Sequence, residues 1–190
     1  MLRKVRTILA DTRGVVAMEF ALVLPLMIPL LFVGYEIAQY VRATMQLQSA
    51  TAAMADLIAQ QSAGVSAGGW SSLGNFCSAG QMMMTPFPPD SLAVAMASVS
   101  NSAGSAQLDW EDDNECWVTA APLGGKAIAL ATTPKNLIPN AGTPGDSVIV
   151  VQATYQYQSL LKYLLPIPIT ITQTALARPR GNAPIACNGC

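Results

Sequence analysis

Histidine is absent from the 190 residues of this chain. That removes the usual general base, proton shuttle and commonest metal ligand from any catalytic scheme. Carboxylates and thiols remain. Five carboxylates crowd one segment: Asp109, Glu111, Asp112, Asp113 and Glu115. Asp109, Glu111 and Asp113 have the 1-3-5 spacing of a calcium loop. Asn114 stands where that loop needs glycine and Ala120 where it needs the closing glutamate, so the match fails. The run reads as a solvated loop, with a weak cation or partner contact as the alternative.

Cys77, Cys116, Cys187 and Cys190 are the four disulfide candidates. Four cysteines allow three complete pairings, and spacing selects none of them. Cys187-Asn188-Gly189-Cys190 has the spacing of a redox pair or half a zinc site. A redox pair normally opens a helix, where the thiolate is stabilised, whereas this one ends a tail containing Gly and Pro. The four thiols together are the raw material of an all-cysteine zinc site, the alternative to disulfides. Gly124-Gly125-Lys126 lacks both the earlier glycine and the following Ser/Thr of a phosphate-binding loop. Arg178 and Arg180 are too few for a nucleic-acid surface. Met82 to Met84, without histidine, suit packing better than copper binding. The chain therefore reads as non-enzymatic, with no metal or cofactor and no nucleic-acid partner expected.

These groups must be placed by the elements around them. Val15 to Tyr35, VVAMEFALVLPLMIPLLFVGY, holds a single charge, Glu19. At 1.5 Å per residue a helix of this length crosses a hydrocarbon core of roughly 30 Å. Arg3, Lys4, Arg6 and Arg13 precede it against Asp11, a net charge of +3; from Glu36 onward the net charge is -3. The basic flank is expected in the cytoplasm and the remainder outside, in a compartment where disulfides persist. The apolar run is longer than the core of a cleaved secretory signal, and no compact Ala-x-Ala site promptly follows it.

Helix formers continue from Glu36 to Gln61 without Gly or Pro. Ile37, Val41, Met45, Met54 and Ile58 recur at about four-residue spacing and mark the expected apolar face. Pro25 and Pro29 predict a bend within the span. Ser62 to Gly80 reads as an irregular Ser/Gly segment, and Ser91 to Ser100 as a strand. Ala127 to Thr132 reads as a further strand. Ser147 to Gln158 alternates with period two, Ile149, Val151, Ala153, Tyr155 and Tyr157 sharing one face. Ile169 to Arg178 repeats the pattern, which predicts an antiparallel pair joined by the Leu160–Pro166 stretch.

The sharpest local feature is Arg13-Gly14-Val15-Val16-Ala17-Met18-Glu19-Phe20. A basic leader ends in glycine, an apolar helix begins at once, and its fifth residue is a carboxylate. This resembles a type IV prepilin processing site. The longer run DTRGVVAMEFALVLPLMIPLLFVGYEIAQYVRA is similar to the start of the TadE-like family of minor pseudopilins, and the SVIVV…ARPR region is similar to that family's C-terminal strands. The resemblance implies cleavage between Gly14 and Val15 by a prepilin peptidase, with Glu19 serving assembly. It also implies a structural role in Flp or type IV-like pilus assembly by a tight-adherence secretion system at a bacterial inner membrane, with pilus assembly proteins or other pseudopilins as partners.

Physical chemistry supports a role for Glu19 independently. An acidic side chain at mid-membrane costs on the order of 2.5–3.5 kcal/mol on insertion scales, and less one turn from the helix start. A free amine on Val15 after cleavage would give it a positive partner in the same chain or a neighbour.

The expected architecture is α+β: a long N-terminal transmembrane helix extended outside the membrane and packed with a small antiparallel β-sheet domain. The divisions are a basic leader over 1–14, a membrane span over 15–35 in contact with lipid, a helix extension over 36–61, and a β-rich domain over 62–190 with a disordered or disulfide-tied tail. An unprocessed bitopic envelope protein, whose outer domain binds a protein partner, is the alternative function.

Overall fold

A computed structural model of the protein describes residues 14–68, 71–102, 104–138, 146–159, 168–181 and 184–190. The leader before Gly14 and the connection expected at Leu160–Pro166 lie outside the described residues. The chain divides into two compact units, Met1–Tyr40 and Val41–Cys190. Helix α1, Val15–Ala59, contributes residues to both.

In the first unit every residue from Gly14 to Tyr35 is exposed. A helix that is apolar on all sides and uncovered by its own protein has hydrocarbon as its natural surroundings. With 45 residues, α1 is about 68 Å long, and its apolar part is long enough to span a membrane. It runs through Pro25 and Pro29 as a single helix.

The second unit opens with the rest of α1, and the buried stripe of the helix keeps Met54 and Ile58 of the expected face but not its earlier members. Ala43, Leu47, Ala50, Met54 and Ile58 are buried, whereas Ile37, Val41 and Met45 are 59%, 43% and 63% exposed. Large apolar residues are a poor guide where close packing calls for alanine. Gly80 shows how close that packing is: a Cβ there would lie 2.5 Å from the Met54 sulfur.

After α1 come β1 (Val65–Ser66), α2 (Ser72–Met83), β2 (Leu92–Ser102), β3 (Ser105–Asp112), α3 (Gly125–Thr132), β4 (Ser147–Tyr157), β5 (Ile169–Ala177) and β6 (Cys187–Asn188). Four strands form an antiparallel sheet in the order β3-β2-β4-β5; β1 and β6 form a separate parallel pair. The strands expected over 91–100, 147–158 and 169–178 are present, and the last two form the expected antiparallel pair, with Tyr157 opposite Ile169.

Two expectations fail for local reasons. Residues 72–80, within the segment expected to be irregular, belong to helix α2. Ser71 caps this helix by accepting from the Gly74 amide at 2.9 Å, and Leu73, Cys77, Gly80 and Gln81 are buried along it. Tertiary contact outweighs two helix-weakening glycines. Residues 127–132, expected as a strand, are helical because Ala127 and Ala131, four apart, pack against the sheet.

This packing divides the sheet's interior. Ala95, Ala97, Val99, Val148 and Val150 meet Ala127, Ala131, Leu123 and Ile138 on one face. On the other face Val94, Met96, Ile149, Val151, Ala153 and Tyr155 are buried, and the Phe87 ring stands edge-on to Tyr155 and Tyr157. The apolar start of β4 is thus buried on both faces. Farther along, polar residues return, and Gln152 donates to Thr174 at 3.2 Å.

Candidate functional site

The membrane-side candidates are Gly14, Val15 and Glu19. Gly14 is the residue immediately before α1, and Val15 is its first residue. A Cβ at Gly14 would meet nothing within 4 Å. Neither crowding nor a left-handed backbone requires glycine here, so the fold does not account for it.

Glu19 lies four residues into α1 and is exposed, as are Val16, Met18 and Phe20 around it. The i, i+4 spacing puts Glu19 on the same helix face as Val15, about 6 Å along the axis. The first four amides of a helix have no intrahelical acceptor, but the first turn of α1 holds no acidic residue and Glu19 follows it. Deeper in the span, Pro25 and Pro29 lack the amides that would pair with the carbonyls of Ala21 and Pro25. In hydrocarbon those carbonyls favour a neighbouring donor.

The acidic run is not a solvated loop. It occupies the end of β3 and the turn beyond, and four of its carboxylates bind groups of the chain itself. Asp109 accepts from the hydroxyls of Ser100 at 2.6 Å and Ser98 at 3.3 Å. Glu111 accepts from the amides of Leu123 and Gly124, the two residues that lead into α3. Asp112 accepts from the amides of Asn114 and Glu115. Glu115 accepts from the Gly68 amide and from the Ser71 hydroxyl at 2.5 Å. Burial is the main cause that holds the Asp112 carboxyl above its ordinary value; the charges of Glu115 and Asp113 push the same way, against the two amides. These roles were not legible because each partner amide lies in a loop with no regular pattern. Among the described residues, no three His, Cys, Asp or Glu side chains are grouped to hold a metal.

The cysteines form two disulfides, Cys77–Cys116 and Cys187–Cys190. This resolves the three pairings the sequence left open and commits all four thiols away from zinc. Cys77–Cys116 ties α2 to the turn that follows β3. Cys187–Cys190 closes a small ring on β6. Trp110, on β3, donates its indole N–H to the Ile185 carbonyl at 2.6 Å, so the tail is docked rather than loose.

The segment 14–56 matches the family model described as TadE-like protein. The match begins at Gly14, ends within α1, and covers 43 of the 190 residues. The strand region expected to share the likeness lies outside it. No curated protein and no solved structure matches the chain significantly.

Proposed function

We propose that this protein is a pseudopilin-like structural subunit, processed between Gly14 and Val15 and used in assembling Flp or type IV-like pili. The observation that carries the reading is the junction itself. A glycine that the fold does not require stands directly before an apolar, uncovered helix with one carboxylate on its fifth residue. The TadE-like match begins at that same glycine and supports the reading. A peptidase that must bring the chain's backbone close has reason to prefer glycine, and cleavage would remove the basic leader while keeping the anchor. The new Val15 amine and the Glu19 carboxylate of a neighbouring subunit then form a charge pair in a low-dielectric setting, where such a pair fixes register. The outer β-domain, held outside the cytoplasm, presents the surface that distinguishes this subunit from its partners.

Intact-mass measurement of the protein from a membrane with active prepilin peptidase tests this directly. The expected first residue is Val15. A native chain beginning at Met1 would favour instead an unprocessed bitopic protein whose outer domain binds a partner.

A further inference from the structure

The C-terminal tail is fastened in three ways. Its backbone pairs with β1: the Val65 amide donates to the Ala186 carbonyl at 2.8 Å, and the Ala67 amide to the Asn188 carbonyl at 2.9 Å. Its Ile185 is buried, and the Ile185 carbonyl accepts from Trp110. Its last turn is closed by Cys187–Cys190. The approach is tight enough to require glycine twice. Gly64 and Gly189 both have φ near +90°; a Cβ at Gly64 would lie 2.8 Å from the Ala186 oxygen, and one at Gly189 3.0 Å from the Ala67 oxygen.

The two disulfides differ in access. Cys77 and Cys116 are 2% and 6% exposed, whereas Cys187 is half-buried and Cys190 exposed. Exchange requires a thiolate to reach a disulfide sulfur, so access decides which bond reacts. β1 and β6 have two residues each, too little pairing to hold a tail firmly once the ring is open.

We propose that Cys187–Cys190 is a thiol–disulfide exchange site for an external dithiol, and that opening it releases β6 from β1 while Cys77–Cys116 stays closed. The donor thiolate attacks the exposed Cys190 Sγ. A donor–Cys190 bond forms as the Cys187–Cys190 bond breaks, and the electron pair leaves on Cys187 Sγ, which takes a proton. The donor's second thiolate then attacks its own sulfur in the mixed disulfide and expels Cys190 as a thiolate, which also takes a proton. The chain gains two electrons and the dithiol becomes a disulfide. Loss of a four-residue ring lowers the docked-to-undocked ratio on the order of tenfold. Release bares the β1 edge and the Trp110 indole N–H, and it removes one wall of a cavity of about 380 Å³ that Gly64 and Ile185 help to line.

The test uses the full chain in detergent or a lipid nanodisc, with dithiothreitol as the dithiol. Timed quenching with a maleimide and mass mapping should show Cys187 and Cys190 labelled together, at least tenfold faster than Cys77 and Cys116. Hydrogen exchange at the Val65 and Ala67 amides should then quicken about tenfold, with β4 amides unchanged. The double variant Cys187→Ser/Cys190→Ser should match the opened wild type. Equal labelling of both pairs overturns the exchange site. Unchanged protection at Val65 and Ala67, or equal loss at β4, overturns the latch.

Discussion

The Glu111 carboxylate on β3 accepts a hydrogen bond from the Gly124 amide at 2.9 Å and another from Leu123, so that a strand side chain holds the two residues that lead into α3. Leu123 is itself buried, so its amide has little recourse to water. Glu111→Ala is expected to destabilise the β-domain by about 1–2 kcal/mol, since it leaves two amides, one of them in a buried residue, without their acceptor. Thermal unfolding should show the midpoint lowered by roughly 3–6 °C. An unchanged midpoint would mean that the entry to α3 holds without this carboxylate.

The stripe of α1 gives a paired prediction. Leu47 is fully buried, so Leu47→Ala should cost about 2–5 kcal/mol. Met45 is 63% exposed, so Met45→Ala should stay within about 0.5 kcal/mol. Denaturant midpoints of the two variants decide the matter. The reverse order would restore the apolar face read from side-chain size.

Asp112 supplies a pH dependence with a definite sign. Its folded pKa is raised above the ordinary 3.8, so the folded state holds the proton more tightly than the unfolded chain does. The associated stability is complete below that value and is lost as pH rises through the folded pKa. Asp112→Asn keeps an oxygen for the Asn114 and Glu115 amides and removes the charge. The variant should unfold at a higher temperature than wild type at pH 7, and the gap should close below pH 3.8. A lower midpoint at pH 7 would reverse the sign.

The disulfides should contribute unequally. Cys77 and Cys116 are 39 residues apart in sequence, and the loop-entropy relation assigns such a link about 4 kcal/mol, against about 2 for the four-residue ring. Replacing Cys77 and Cys116 by alanine should therefore lower the denaturant midpoint more than replacing Cys187 and Cys190. Equal losses would show that chain entropy is not what the long link contributes.

At the membrane end, Gly14→Leu should leave the precursor inserted and uncleaved, since open space around this position lets the fold accept the larger side chain. Glu19→Gln should preserve insertion and cleavage and lower the yield of assembled material. Gel mobility of the membrane fraction, with a pull-down of assembled subunits, reports each step. Normal processing of the Gly14 variant would remove the proposed recognition.

Legibility followed the physics of each segment. The apolar helix over 15–35 was plain because an unbroken apolar run of membrane-spanning length is legible without any knowledge of packing. Strands β4 and β5 were plain from the alternation of Gln and Thr with apolar residues, and β2 from its β-branched and small apolar run, which is buried on both faces. The buried stripe of α1 was legible at Met54 and Ile58 and missed farther back, because Ala43 and Ala50 look ordinary until Gly80 shows how near the packed elements come. α2 and α3 were hidden for a related reason, since α2 starts at the Ser71 cap and the residues leading into α3 are held by Glu111 from another element. The acidic run concealed its purpose entirely, because the amides that Asp112, Glu111 and Glu115 satisfy belong to turns without periodicity.

The strand order also has a bearing on how the domain is made. β2 and β3 are neighbours in sequence, and their hairpin closes over a short turn, but β2's other edge waits for β4, more than forty residues later. Loop closure of that length is slow relative to hairpin formation. During synthesis, LAVAMASVS is expected to stand with one side of its backbone unpaired and its side chains only partly covered. Such a strand invites pairing with other chains. A cell that makes this protein in quantity therefore needs either rapid delivery of β4 or a holdase that shields β2 until it arrives.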